Sequence, residues 1–214
     1  MKIVEQSAKI LNPETWNGGV QLLRQIEYAG RNCYRSHDKM GGASYISFIQ
    51  NLMKRGHYSP LEFGDITVEL VTGRDVMAEI TRHRMASFCI QSQRYVLENK
   101  HGDISFIKPL FYSKFPSSPN YGASCVWEES MRREEKDYKN MLSCGCAAQD
   151  ARKVLGNSVA TVIVMKANVR EWLHILELRD SPAAYPEMHE LMSLLRMELR
   201  KVIPIVFDGD KDDT

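Results

Sequence analysis

Residues 82–95 read Arg82-His83-Arg84-Met85-Ala86-Ser87-Phe88-Cys89-Ile90-Gln91-Ser92-Gln93-Arg94-Tyr95. Three arginines, one histidine and two serines fall within these fourteen positions. Arginine presents a planar fork of donors suited to phosphates and other oxyanions, and it stays charged at any working pH. On a helix, Arg82 and Arg84 point to nearly opposite sides, so they do not grip one small anion together. They serve two ligands, or one large ligand that wraps around the backbone. A solvated basic turn is the plain alternative, and the flanking sequence argues against it.

Upstream, Ile66, Val68 and Leu70 alternate with polar neighbours, the pattern of a half-buried strand. Gly73 breaks the alternation, and Val76, Met77 and Ile80 open a helix that runs into Arg82. The arginine-rich stretch therefore sits where a helix gives way to an irregular segment, a common location for ligand contacts. Closer to the amino end, Val20, Leu23, Ile26 and Cys33 predict a helix, and a polar, glycine-containing loop follows over 36–44. Tyr45, Phe48, Ile49 and Leu52 predict a second helix that stops near Gly56.

Downstream, residues 99–124 hold Pro109, Pro116 and Pro119 among several aromatics and read as a long surface excursion. A charged helix with a solvated face is expected over about 126–142, a short buried strand over 160–165 and a helix over 170–178. Met188, Leu191, Met192, Leu195, Leu199 and Val202 form an apolar stripe that faces a core or another subunit. The acidic tail, 208–214, is expected to fray.

At 214 residues the chain suits one substantial domain, 1–214. Its 43% hydrophobic and 26% charged content is ordinary for a soluble globular protein. A net charge of +1 supplies no field for coating nucleic acid, so anionic ligands must be met by local clusters. No apolar run approaches the ~20 residues of a membrane span, and the first residues lack the apolar stretch of a signal peptide. Five cysteines at irregular spacing speak for a reducing cytoplasm rather than a disulfide framework. Nothing near Cys144-Gly145-Cys146 completes a tetrahedral ligand set, so no metal is expected and these read as small, partly buried side chains.

Arg82-His83-Arg84, seven residues and then Ser92 resembles the signature of the flavin-dependent thymidylate synthases. His57-Tyr58-Ser59-Pro60-Leu61-Glu62 resembles that family's segment one strand before the signature. Asn168-Val169-Arg170, His174 and Leu178-Arg179 resemble its second ligand-binding segment. Three ordered segments carry the resemblance over nearly the whole chain. It implies an α+β fold, a mixed or antiparallel sheet flanked by helices, in a homotetramer whose active sites are shared between chains.

The resemblance also implies a reaction: reductive methylation of deoxyuridylate to thymidylate. Methylenetetrahydrofolate gives the carbon, and NADPH gives hydride through FAD. Ser59, Arg82, His83, Arg84, Ile90, Asn168, Val169, Arg170 and His174 are then expected at FAD. His57, Glu79, Arg82, Ile90, Gln91, Ser92, Gln93, Arg94, Arg152 and Arg179 are expected at the substrates, with Arg179 catalytic. Arginine, with a pKa above ~12, does not serve as a neutral base; its role is electrostatic, beside the pyrimidine. Ser92 has no legible base partner and reads as a positioning hydroxyl. No Gly-x-Gly-x-x-Gly fingerprint occurs, so a flavin is held by side chains and irregular backbone.

Cys89 and Ile90 depart from the polar pair usual in the family, and Glu79 stands where some relatives carry Gln. Glu62 reads either as a site residue or as a partner for an arginine. Two other classes stay in view: a nucleic-acid binder using 82–95, and a flavin- or nucleotide-binding regulator without turnover. The cysteine-dependent thymidylate synthases fit less well, because this chain is shorter and its cysteines lack their motif context.

Overall fold

The computed structural model describes residues 1–12, 19–97 and 102–208. In chain order the elements are β1 (Lys2–Val4), β2 (Ser7–Ile10), α1 (Val20–Asn32), α2 (Ser44–Arg55), β3 (Asp65–Gly73), α3 (Arg74–Ile80), β4 (Ser87–Ile90) and β5 (Ser105–Ile107). They continue as α4 (Tyr121–Ser143), the single turn α5 (Ala148–Ala151), β6 (Ala160–Asn168), α6 (Val169–Arg179), α7 (Pro186–Val202) and the short α8 (Pro204–Phe207). One sheet has the order β2-β3-β6-β4, and β1 pairs with β5 in parallel. Arg74 N–H donates to Asn157 O, and Val169 N–H donates to Gly64 O. These bonds flank β3 and β6 at both ends and set the two central strands antiparallel. The α+β class, strands combined with flanking helices, is the one expected.

The central strands follow the period of two. Ile66, Val68 and Leu70 of β3 are buried in alternation, as are Thr161, Ile163, Met165 and Ala167 of β6. Each strand then runs directly into a helix. Gly73 leads into α3, and Asn168 caps α6 by accepting the Glu171 N–H at 2.8 Å. An Asn cap of this kind contributes about 1 kcal/mol and fixes the first turn, where Arg170 lies. At the end of α2, Gly56 adopts φ 65°, the left-handed conformation that closes a helix, as its position predicts.

Packing divides the chain into two compact units. The described residues of Met1–Ser7, Leu70–Arg82 and Cys89–Ile163 form the first, and those of Ala8–Glu69, His83–Phe88 and Val164–Thr214 the second. Strands β3, β4 and β6 each contribute residues to both. In the first unit Ile104, Phe106, Met131, Tyr138, Ala151 and Val159 form a core under α4. In the second, Met188, Leu191, Met192, Leu195 and Leu199 of α7 are fully buried, together with Trp172, Ile175 and Leu176 of α6. The stripe on α7 is thus a core stripe, each side chain stabilising by ~1.5–3 kcal/mol.

Residues 99–124 are not one surface excursion. Residues 98–101 lie outside the described residues, but β5 and Ile104 are interior, with Ile104 and Phe106 fully buried. Three residues are too few to show periodicity, and the pairing partner of β5 is a hundred positions away, so nothing local signals the strand. Charged helix α4 begins at Tyr121, earlier than its hydrophobic pattern suggests. Of the two cysteines expected to be partly buried, Cys146 is half-buried and Cys144 is exposed, as are Cys33, Cys89 and Cys125. In the expected tail Asp208 is exposed, and 209–214 lie outside the described residues.

Trp172 ties α6 to β3: it is fully buried and its indole N–H donates to Ile66 O at 3.1 Å. Trp172→Ala should destabilise the protein by ~3–5 kcal/mol, read as a lower urea midpoint with an unchanged m-value.

Candidate active site

The turn after α3 divides the arginine signature by environment. His83 is buried, whereas Arg82 and Arg84 on either side are exposed. Within the second unit, Arg179 at the end of α6 donates its Nε–H to His83 Nε2 at 3.1 Å. Arginine has no acceptor, so this nitrogen must be the unprotonated one, and the ring proton sits on Nδ1. Nδ1 lies 3.7 Å from Glu171 Oε1, beyond hydrogen-bond length but oriented to a negative charge. Burial, the Arg179 guanidinium and His174 lower the His83 pKa from 6.5 to about 4. His83 is therefore neutral at pH 7, which is the state the arginine bond requires. The His174 ring meets His83 edge-on, centroids 6.3 Å apart.

Arg179 is held from its chain neighbour as well. The buried Asp180 carboxylate accepts Arg196 Nε–H at 2.6 Å and Ser193 Oγ–H at 2.9 Å, both from α7. His189 Nδ1 also lies 2.9 Å from Asp180 Oδ1, close enough for charge attraction but off the line of a ring N–H bond. The C-terminal end of α6 is thus fastened to α7 where Arg179 emerges.

Two clefts open beside the segment His57-Tyr58-Ser59, and both are built wholly from the second unit. One, of about 460 Å³, is lined by Tyr58, Met85, Asn168, Arg170 and His174, with the carboxylates Glu62, Glu171 and Glu177. Arg170 Nη1 bonds Glu62 Oε1 at 2.5 Å, so Glu62 does pair with an arginine. The other, of about 590 Å³, is lined by His57 and Ser59 together with Arg31, Lys39 and Arg55 and by no carboxylate. Both volumes fall in the range of small-molecule sites.

Of the residues expected at the site, His57, Ser59, His83, Arg84, Asn168, Val169, Arg170, His174 and Arg179 belong to the second unit. Of these, Asn168, Arg170 and His174 share a cleft and His83 bonds Arg179; Val169 is buried and serves the core. Glu79, Arg82, Ile90, Gln91, Ser92, Gln93, Arg94 and Arg152 belong to the first unit. There β4 pairs onward through Gln91 N–H to Val162 O, and Arg74 Nη2 donates to Gln91 O. Ser92 Oγ accepts the Arg94 N–H at 3.2 Å, a turn-forming role rather than a nucleophile's. Gln93 is buried, and its amide nitrogen has no hydrogen-bond partner among the described residues. Arg152 Nε donates to Gln149 O. Glu171 was missed, although Asn168-x-x-Glu171 is the spacing of a helix cap with an acid at its third position. Met85, Arg31, Lys39 and Arg55 carried no signal, since they converge only through tertiary packing.

Among the described residues, no group of His, Cys, Asp and Glu is arranged to hold a metal, and no helix is long and apolar enough to cross a membrane.

A family profile described as thymidylate synthase complementing protein matches residues 21–205. A flavin-dependent thymidylate synthase of Mycobacterium sp. (strain JLS) is 32% identical over 206 residues, covering 89% of this chain and 79% of that protein. A probable flavin-dependent thymidylate synthase of Mycobacterium phage D29 is 29% identical over 95% of this chain and 94% of its own length. The fold is shared with a UMP/dUMP methylase, PolB from Streptomyces cacaoi, bound with 5-Br UMP: TM-score 0.75 at 19% identity, over 97% of this chain and 95% of that one. The chain belongs to the thymidylate synthase complementing protein family, the flavin-dependent thymidylate synthases.

Folded His83 resists a proton that the unfolded chain accepts near pH 6.5, so the unfolded state binds more protons between pH 6.5 and about 4. Stability from this group is present above that window and is lost as pH falls through it, by on the order of 2–3 kcal/mol. In urea unfolding from pH 7.5 to 4, His83→Gln should flatten the curve by this amount. An unchanged curve would show that His83 titrates normally.

Proposed function

We propose that this protein is a flavin-dependent thymidylate synthase, reductively methylating deoxyuridylate to thymidylate. The carbon comes from 5,10-methylenetetrahydrofolate, and hydride comes from NADPH through FAD, in a cytoplasmic homotetramer with active sites shared between chains. The observation that carries the reading is the bond from Arg179 to a neutral, buried His83. It fixes the direction of an arginine through a partner that carries no charge.

Placed beside N3 of the uracil and its adjacent oxygen, that guanidinium favours the ionised ring and makes C5 more nucleophilic. Gln93 supports a nucleotide site in the first unit, because a buried amide nitrogen without an acceptor costs ~1–3 kcal/mol unless a ligand oxygen meets it. Ser92, Arg94 and Arg152 stand in the same unit as positioning groups, with Glu79 suited to a ring N–H or sugar hydroxyl. The side chain of Ile90 offers only apolar contact, and the backbone around it takes over any polar role.

The residues present fit a flavin. Asn168 Oδ1 is engaged as a helix cap, which leaves its amide N–H groups to give, and Arg170, His174 and Tyr58 line the same cleft. The bound flavin supplies hydride transfer. His57 and Ser59 line the neighbouring cleft, suited to the face where folate approaches.

Anaerobic incubation with FAD, NADPH, methylenetetrahydrofolate and deoxyuridylate should yield thymidylate, detected by mass spectrometry. Omitting FAD should abolish it, and Arg179→Ala should lower turnover by about 100-fold or more while the protein remains folded. Folded, flavin-loaded protein that makes no thymidylate would overturn the reading.

A further inference from the structure

The two clefts beside 57–59 differ in charge. Three carboxylates line the one that holds Asn168, Arg170 and His174. Arg31, Lys39, Arg55 and His57 line the other, and no acid does. Arg31 is already spent: it is paired with the buried Glu27 at 2.7 Å and lies over the Phe48 ring. Lys39 and Arg55 are different. Both are exposed, and among the described residues neither side chain has an ion-pair or hydrogen-bond partner.

The plain reading of Arg55 is a cation placed in the last turn of α2 to answer the helix dipole. That reading does not cover Lys39, which lies in the short 3-10 turn His37–Lys39, on a different element facing the same cleft. Nor does it account for a cleft of this size with basic side chains in its lining and no acidic one. The helix ends here also bear on which anion fits. Gly30 and Arg31 belong to the last turn of α1, and Asn51, Leu52 and Arg55 to that of α2. Helix C-termini present carbonyl oxygens, so the backbone N–H cradle that phosphate favours is not what these ends offer. Two flexible, separated cations suit a flexible chain of carboxylates better.

The geometry points to this cleft as the site for the γ-linked polyglutamate tail of the folate cosubstrate, with Lys39 and Arg55 as its charge partners. The inference rests on the folate-dependent activity proposed above. His57 and Ser59 place the cleft beside the expected folate face, and the tail leads from there to the two cations.

Equilibrium dialysis of flavin-loaded enzyme with tetrahydrofolate bearing one or five γ-linked glutamates tests it, on the wild type and on Lys39→Glu/Arg55→Glu. The wild type should hold the pentaglutamate about 5- to 10-fold more tightly than the monoglutamate at low salt, since two exposed ion pairs supply little more. In the double variant that advantage should fall below about 2-fold, with monoglutamate affinity unchanged. Equal binding of the two folates by the wild type would overturn the inference, and so would an advantage that survives in the variant. A variant that instead loses affinity for NADPH would overturn it in favour of a phosphate site. Binding of neither folate by the wild type would sink the proposed function too, whereas monoglutamate binding with no tail effect sinks only the inference.

Discussion

A charged arginine held by an uncharged imidazole is the constraint on which the site depends. The Arg179 Nε–H requires an acceptor, and His83 supplies one only while it lacks a second proton. Burial keeps it in that state, and the guanidinium reinforces the same outcome. The interaction is self-consistent: the arginine selects the protonation state that lets the histidine hold it. The imidazole, being neutral, directs the guanidinium through one hydrogen bond without adding a charge of its own. His83 and the end of α6 are thereby fixed together within the second unit, although almost a hundred residues separate them in sequence.

Around this anchor, the strands do the positioning. Both central strands pass straight into helices, and at the second junction Asn168 and Arg170 line a cleft from a rigid element rather than a long loop. Asn168 illustrates the economy of such a junction, since one side chain ends β6, caps α6 and lines a cleft. Among the described residues, the one non-glycine with a left-handed backbone lies beside the other cleft. Arg35 takes φ 47° in the turn that closes α1, a conformation costing a non-glycine residue about 1 kcal/mol or more. Its neighbours Tyr34 and Ser36 both line that cleft.

Much of this arrangement is legible along the chain. Helix α2 and its stop at Gly56, strand β3 and the break at Gly73, and the apolar face of α7 all follow from local periodicity and local turn chemistry. The motif segments also point to His83, Asn168, Arg170, His174 and Arg179, because each lies in a short, ordered pattern. What escapes is what only packing decides. Strand β5 depends on a distant partner in β1, and the buried state of His83 depends on α6. Lys39 and Arg55 look like ordinary surface cations until the fold turns them toward one cleft. Glu171 lies between the two cases, since its spacing from Asn168 marks the cap while its approach to His83 is tertiary.

The clamp on Asp180 has a consequence for how this sequence can change. His189, Ser193 and Arg196 are four and three residues apart, so they form one polar row along a helix whose remaining inward positions are apolar. Insertion of one residue inside α7 would turn everything beyond it by about 100° and exchange polar for apolar partners at a buried carboxylate. The connection between α6 and α7 has no such phase to keep. Drift in length is therefore open to residues 181–185 and closed to 189–196, and descendants of this chain should differ in length at the former while the latter changes only by substitution.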